Sequence, residues 1–178
     1  MFKVKFSTKP FISTLAIASC LLGGTAYIAQ AQSNPGLTIF SGIERENILS
    51  YYLDFGGKPG HWDRYRLEIP AKKLTRGAAK IFVTYPDYYK GKFKPEKIEV
   101  RIKGEPQPLR EVIWDKESRI IEMDLENPIP EGKKVEIVMS EVKNPRWGGT
   151  FYFHCQVMSA GDIPIREYLG SWILSINR

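Results

Sequence analysis

Two cysteines and two histidines among 178 residues leave little material for a disulfide framework, a histidine-rich metal cluster or thiol chemistry. Cys20 lies in an apolar leader, so a chain cut after that leader keeps Cys155 alone and forms no internal disulfide. Beyond residue 31 no apolar run is long enough to cross a bilayer, which excludes a stable membrane span in the remaining chain. Internal repeats, low-complexity tracts and a second-domain linker are also missing. An excess of one charge is slight once its location is considered. The net charge of +6 suggests nucleic acid, yet three cations and no acids belong to the first 31 residues. Residues 32–178 carry 23 Lys and Arg against 20 Asp and Glu, a net of +3, too mild for a nucleic-acid partner.

The leader has its own logic. Lys3, Lys5 and Lys9 form a basic start, Phe11 to Ile28 is apolar, and Ala29-Gln30-Ala31 offers the small residues that a signal peptidase accepts. These features predict a signal peptide over 1–31, cleavage after Ala31, and periplasmic or extracellular residence for a domain over 32–178. Two alternatives stand beside cleavage. Phe11 to Ile28 just matches the roughly 30 Å hydrocarbon core of a bilayer and would serve as a retained anchor. Ile17-Ala18-Ser19-Cys20 looks like a lipoprotein box, which would anchor the chain through Cys20.

Past the leader, short apolar alternations are separated by turn residues. Tyr65, Leu67 and Ile69 alternate with Arg66 and Glu68; Ile98, Val100 and Ile102 with Glu99 and Arg101; Ile121, Met123 and Leu125 with Glu122 and Asp124. Ile81 to Tyr85, Val135 to Met139, Thr150 to Met158 and Tyr168 to Ile176 read as further strands, with shorter ones near Leu37 to Phe40 and Glu111 to Trp114. Asp115 to Ser118 reads as a hairpin loop and Pro130-Glu131-Gly132 as a turn. Glu44 to Phe55 suits a helix, and its Tyr51-Tyr52-Leu53 core could equally pair as a strand. The pattern predicts an all-β fold, an antiparallel immunoglobulin-like β-sandwich of about seven to nine strands.

Several motifs follow in fixed order: Asn127-Pro128-Ile129-Pro130-Glu131-Gly132, then Asn144-Pro145-Arg146-Trp147-Gly148-Gly149-Thr150-Phe151-Tyr152-Phe153, then Ala160-Gly161-Asp162 and Tyr168-Leu169-Gly170. This order resembles the secreted cyanobacterial family catalogued as domain of unknown function 2808, most strongly from Asn127 to Ile176. Met158-Ser159-Ala160-Gly161 stands where that family has a loop proline. The resemblance implies export and a β-sandwich and brings no activity with it. Physically, Asn144-Pro145 should end a strand, Gly148-Gly149 should allow positive dihedrals, and Gly170 should mark a bulge or a close backbone approach.

The stretch from Gly149 to Asp162 is also similar, more weakly, to the periplasmic copper carriers of the copper-resistance type C family. Their turn histidine is missing, since Ile163 follows Asp162, and Gln32 and Ser33 replace any N-terminal histidine ligand. His154, Cys155 and Met158 are soft-metal ligand types. Strand alternation puts Cys155 on the core side with Phe151 and Phe153, and separates Met158 from His154 by about 13 Å on the other side. His61 is not placed by the sequence. A metal carrier using His154 with His61 or Met158 is therefore the alternative reading, and no cofactor is expected.

Catalysis finds no support in these patterns. His154 and Cys155 project to opposite faces, and the acids alternate with Lys and Arg along outward faces. The remaining feature is Tyr85 to Pro95, four aromatics and three lysines in one loop. Tyr88, Lys90, Lys92 and Phe93, helped by Trp147, are the expected binding residues of a non-catalytic envelope module, with an envelope protein or an anionic glycan as partner. The competing expectation is that Tyr88 or Phe93 folds back over the sandwich edge, with the four tryptophans in the core or on a sheet face.

Overall fold

Burial alternates along the strands as the sequence alternates. The computed structural model describes residues 42–160 and 165–177. The leader, Cys20 and the expected strand Leu37 to Phe40 lie outside the described residues. In chain order the strands are β1 (Ile48–Leu49), β2 (Tyr51–Leu53), β3 (Trp62–Ile69), β4 (Ala78–Thr84), β5 (Ile98–Ile102) and β6 (Glu105–Gln107). There follow β7 (Leu109–Asp115), β8 (Ile120–Ile129), β9 (Val135–Lys143), β10 (Gly149–Met158) and β11 (Arg166–Ile176). One sheet has the order β1-β11-β10-β4-β8-β7 and the other β2-β3-β9-β5-β6. Every pairing is antiparallel except β1 with β11. The fold is an all-β, immunoglobulin-like antiparallel sandwich. Eight strands are long enough to show a period of two; β1, β2 and β6 have two or three residues each.

The two inner faces share one core. Tyr65, Leu67 and Ile69 of β3 meet Ile81 and Val83 of β4, Ile137 and Met139 of β9, and Phe153 and Cys155 of β10. Each fully buried aliphatic side chain contributes roughly 1.5–3 kcal/mol relative to exposure. Trp172 of β11 is fully buried, and its indole N–H donates to the Glu68 carbonyl of β3 across the sandwich (3.0 Å). On the wet side, Lys80 lies between Glu122 (2.5 Å) and Asp124 (3.3 Å), as expected for a solvated face.

Of the two readings of Glu44 to Phe55, the strand holds for its Tyr51-Tyr52-Leu53 core, which is β2 paired with β3, and the helix does not form. A 3-10 turn at Arg45–Asn47 leads into β1 on one sheet, and the chain passes at Ser50 to β2 on the other. Gly170 makes that crossing possible. It adopts φ 151°, lies at a break in the β10–β11 register, and a Cβ there would sit 2.5 Å from the Asn47 carbonyl oxygen. Both roles expected of Gly170 are therefore met. Gly148 and Gly149 differ from expectation: neither has a positive φ, and Gly148 is needed because the Ile176 carbonyl approaches its Cα closely.

Candidate functional site: a basic aromatic cleft at one end of the sandwich

The pairing register brings four connections to the same end. β3 begins at Trp62 opposite Lys143, the last residue of β9, while β4 ends at Thr84 opposite Ile120, the first residue of β8. Loops 54–61, 85–97, 116–119 and 144–148 consequently share that end. Asn144-Pro145 stops β9 as expected, because proline has no donor for the ladder.

A buried polar network holds these loops. The Asp63 carboxylate accepts backbone N–H bonds from Phe55 (2.9 Å), Gly57 (2.8 Å) and Arg64 (2.7 Å), folding loop 54–61 around itself. The Asn144 amide donates to the Lys58 carbonyl (2.9 Å) and accepts from the Tyr65 hydroxyl (2.5 Å). Because Tyr65 gives its proton to Asn144, the Tyr89 hydroxyl is the donor in the 3.0 Å contact between the two tyrosines. Burial pushes both phenols above the usual tyrosine range. Sequence patterns marked Asn144 only as a strand end and did not identify Asp63. An Asp between Trp and Arg, or an Asn before Pro, carries no mark of burial.

Loop 85–97 is tied down at several points. Tyr85 N–H donates to the Arg119 carbonyl (3.1 Å), and Lys92 and Lys143 exchange two backbone hydrogen bonds (2.9 and 2.8 Å). The Trp114 indole N–H donates to the Tyr85 hydroxyl (2.7 Å). Tyr85, Tyr89 and Phe93 turn inward and pack edge-on or stacked against one another and against Phe153. Gly91 lies flat against the Tyr89 ring, where any Cβ would collide. Of the two expectations for Phe93, folding back over the sandwich edge is the one met. Phe93 is 4% exposed and plugs the sandwich, because its ring gains more from the Tyr85, Tyr89 and Trp114 rings than from water.

Above this plug is a cleft of about 540 Å³. Five cations line it, Lys90, Lys92, Lys94, Lys116 and Arg119, against one acid, Asp87. Lys94 is paired with Glu141, which sits at a bulge in β9 with φ 53°; the pair holds the Lys94 ammonium pKa above its ordinary value and the Glu141 carboxyl below. Among the described residues the other four cations have no carboxylate within 4.0 Å. Lys90 and Lys92 are exposed, as is Tyr88 (53%), which stacks on Phe151. Trp147 is 75% exposed and Trp62 51%, so these two leave the core that Trp172 occupies. Cations lie over the rings: Lys116 over Trp114 (4.5 Å to the centroid), Lys143 and Lys94 over Trp62 (5.1 and 5.4 Å), and Arg146 over Trp147 (5.6 Å).

The soft-ligand residues are not brought together. His154 is on the outer side of β10, its Nδ1 2.5 Å from the Ser171 hydroxyl, which also contacts the Tyr168 hydroxyl (2.7 Å). His61 precedes β3 of the other sheet, and Met158 pairs with Lys80 four residues along from His154. No group of three His, Cys, Asp or Glu among the described residues is arranged to hold a metal ion. Burial lowers the His154 pKa and raises that of the fully buried Cys155 thiol. Ser171 is within reach of His154 and is itself fully buried. No helix among the described residues is long and apolar enough to cross a membrane.

No curated protein matches the chain. Among solved structures, an uncharacterized immunoglobulin-like protein from Nocardia farcinica is similar at 10% identity and a TM-score of 0.45, over 74% of this chain and 99% of its own. BslA, a bacterial hydrophobin, is similar at 12% identity and 0.45, over 69% of this chain and 97% of its own. The collagen-binding domain of a Staphylococcus aureus adhesin is similar at 11% identity and 0.40, over 73% and 97%. None of these bears on what this chain binds. Residues 37–176 match the family described as protein of unknown function DUF2808, and the chain belongs to that family.

Proposed function

We propose that this chain is an exported, non-catalytic binding module of the cell envelope that docks an anionic component through the loop end of its sandwich. One observation carries the reading: Lys90, Lys92, Lys116 and Arg119 rim a cleft with no carboxylate partner among the described residues. A cation left unpaired beside others raises the local potential and favours an incoming anion. The basic, apolar and small-residue order of the first 31 residues supports export. A non-catalytic role is supported by the burial of Cys155 and Ser171 and by the ion pairing of the acids on outer faces. The rigid plug beneath the cleft fits a preformed docking surface.

A photo-crosslinking amino acid at position 92, compared in cells with one at position 66 on the outer face of β3, tests this. Adducts should form at 92 and be lost when Lys90 and Lys116 are changed to Glu. Equal yields at 66 and 92 would overturn the reading.

A further inference from the structure

The loop end carries more exposed aromatic surface than a site for a small anion requires. Phe55, Trp62, Tyr88 and Trp147 come from loops 54–61, 85–97 and 144–148 and the adjoining start of β3, and each is more than half exposed. Lys90 and Lys92 are exposed beside Tyr88, and Arg146 beside Trp147. Resting on the reading above, we infer that the anionic component is a lipid bilayer surface, met by this end of the sandwich with its tryptophans at headgroup level.

Two observations favour lipid over an acidic glycan. Sugar rings stack on bare aromatic faces, and here Trp62, Trp114 and Trp147 each have a cation over the ring. A ring and a cation side by side instead suit the headgroup layer, where indoles take the apolar boundary and ammonium or guanidinium groups take the phosphates. The aromatics are also at the tips of connections, where they can enter a soft surface without the sandwich opening. The Asp63 and Asn144 network keeps those connections rigid, so little ordering entropy is lost on docking.

The test uses the full chain and vesicles with brominated acyl chains. All four tryptophans lie outside the apolar leader. Trp172 is buried in the core, while Trp62, Trp114 and Trp147 are at or beside the cleft, so lipid-dependent quenching of their fluorescence reports the loop end. Equal parts phosphatidylcholine and phosphatidylglycerol should quench strongly, and phosphatidylcholine alone weakly. With Lys90→Gln and Lys92→Gln together, the lipid needed for half-maximal quenching should rise about 30-fold, since each basic group near an anionic surface contributes about 1 kcal/mol. Trp62→Phe and Trp147→Phe together should remove most of the quenching with an unchanged circular dichroism spectrum, and undiminished quenching in that variant overturns the placement of these rings at headgroup level. Equal quenching by both vesicles, or none by either, overturns the lipid inference. If polygalacturonate binds in place of vesicles while adducts at position 92 persist, docking at this end survives without lipid; if the adducts also vanish, both proposals fall.

Discussion

Asp63 is a buried carboxylate that accepts three backbone N–H bonds, one buried and two partly buried, and its removal leaves those donors without their partner. Asp63→Ala should cost about 3 kcal/mol or more in urea unfolding, with Asp63→Asn intermediate because it keeps the volume and one acceptor. Cys155 offers the opposite chemistry, a thiol in an apolar core. Cys155→Ser buries a hydroxyl among apolar groups and should cost about 1–3 kcal/mol, and the native thiol should resist alkylation until the chain unfolds. His154 sets a pH response. Its pKa is lower in the fold than in the unfolded chain, so the unfolded state binds more protons in acid. Stability should be full above about pH 6.5 and decline below it. His154→Gln should flatten that decline in melting curves at pH 7.5 and 5.5, modestly, because the ring is half exposed. At this scale the sequence was informative wherever alternation assigned a face: Cys155 inward and His154 outward follow from counting by two. Asp63 was not legible, because burial of a lone acid depends on donors eight residues upstream.

The elements with a clear period of two were the legible ones. β3, β5, β8 and β9 each carry at least three alternating apolar residues, and turns at Asp115 to Ser118 and Pro130 to Gly132 separate strands as their residues suggest. β1 and β2 are too short to show a period, and the chain changes sheets between them. That change depends on Gly170. Gly170→Ala forces a side chain into a positive φ and onto the Asn47 carbonyl, at a cost of about 1–3 kcal/mol. Hydrogen exchange at Leu49 and Trp172 should accelerate as β1 separates from β11. In loop 85–97, Gly91→Ala must displace the Tyr89 ring and with it the hydroxyl chain to Tyr65 and Asn144. Faster exchange of the loop amides with little change in the sheets would be the signature. The aromatics of this loop were visible in the sequence, but not which of them turn inward. Tyr88 and Phe93 have similar local surroundings, and only the rings of Trp114 and Phe153, brought by β7 and β10, decide that Phe93 is the plug.

For the whole molecule, a net charge of +3 over residues 32–178 is too small to explain binding, but its distribution is uneven. On the sheet faces Lys80 and Arg66 are paired with carboxylates; among the described residues, four of the five cations lining the cleft are not. Binding there should weaken strongly between about 0.1 M and 1 M salt, where the screening length falls from about 10 to about 3 Å, while the melting temperature barely moves. A binding titration beside a thermal melt at both salt concentrations checks this.

By itself the sequence determined the fold class, the inward and outward side of the long strands, and a basic aromatic loop, because each follows from local alternation and composition. Tertiary structure decided which loops share an end, which aromatics leave solvent and which cations stay unpaired. These depend on strand order and register, set by pairings such as Trp62 with Lys143 across 81 residues of chain, and no local pattern encodes them.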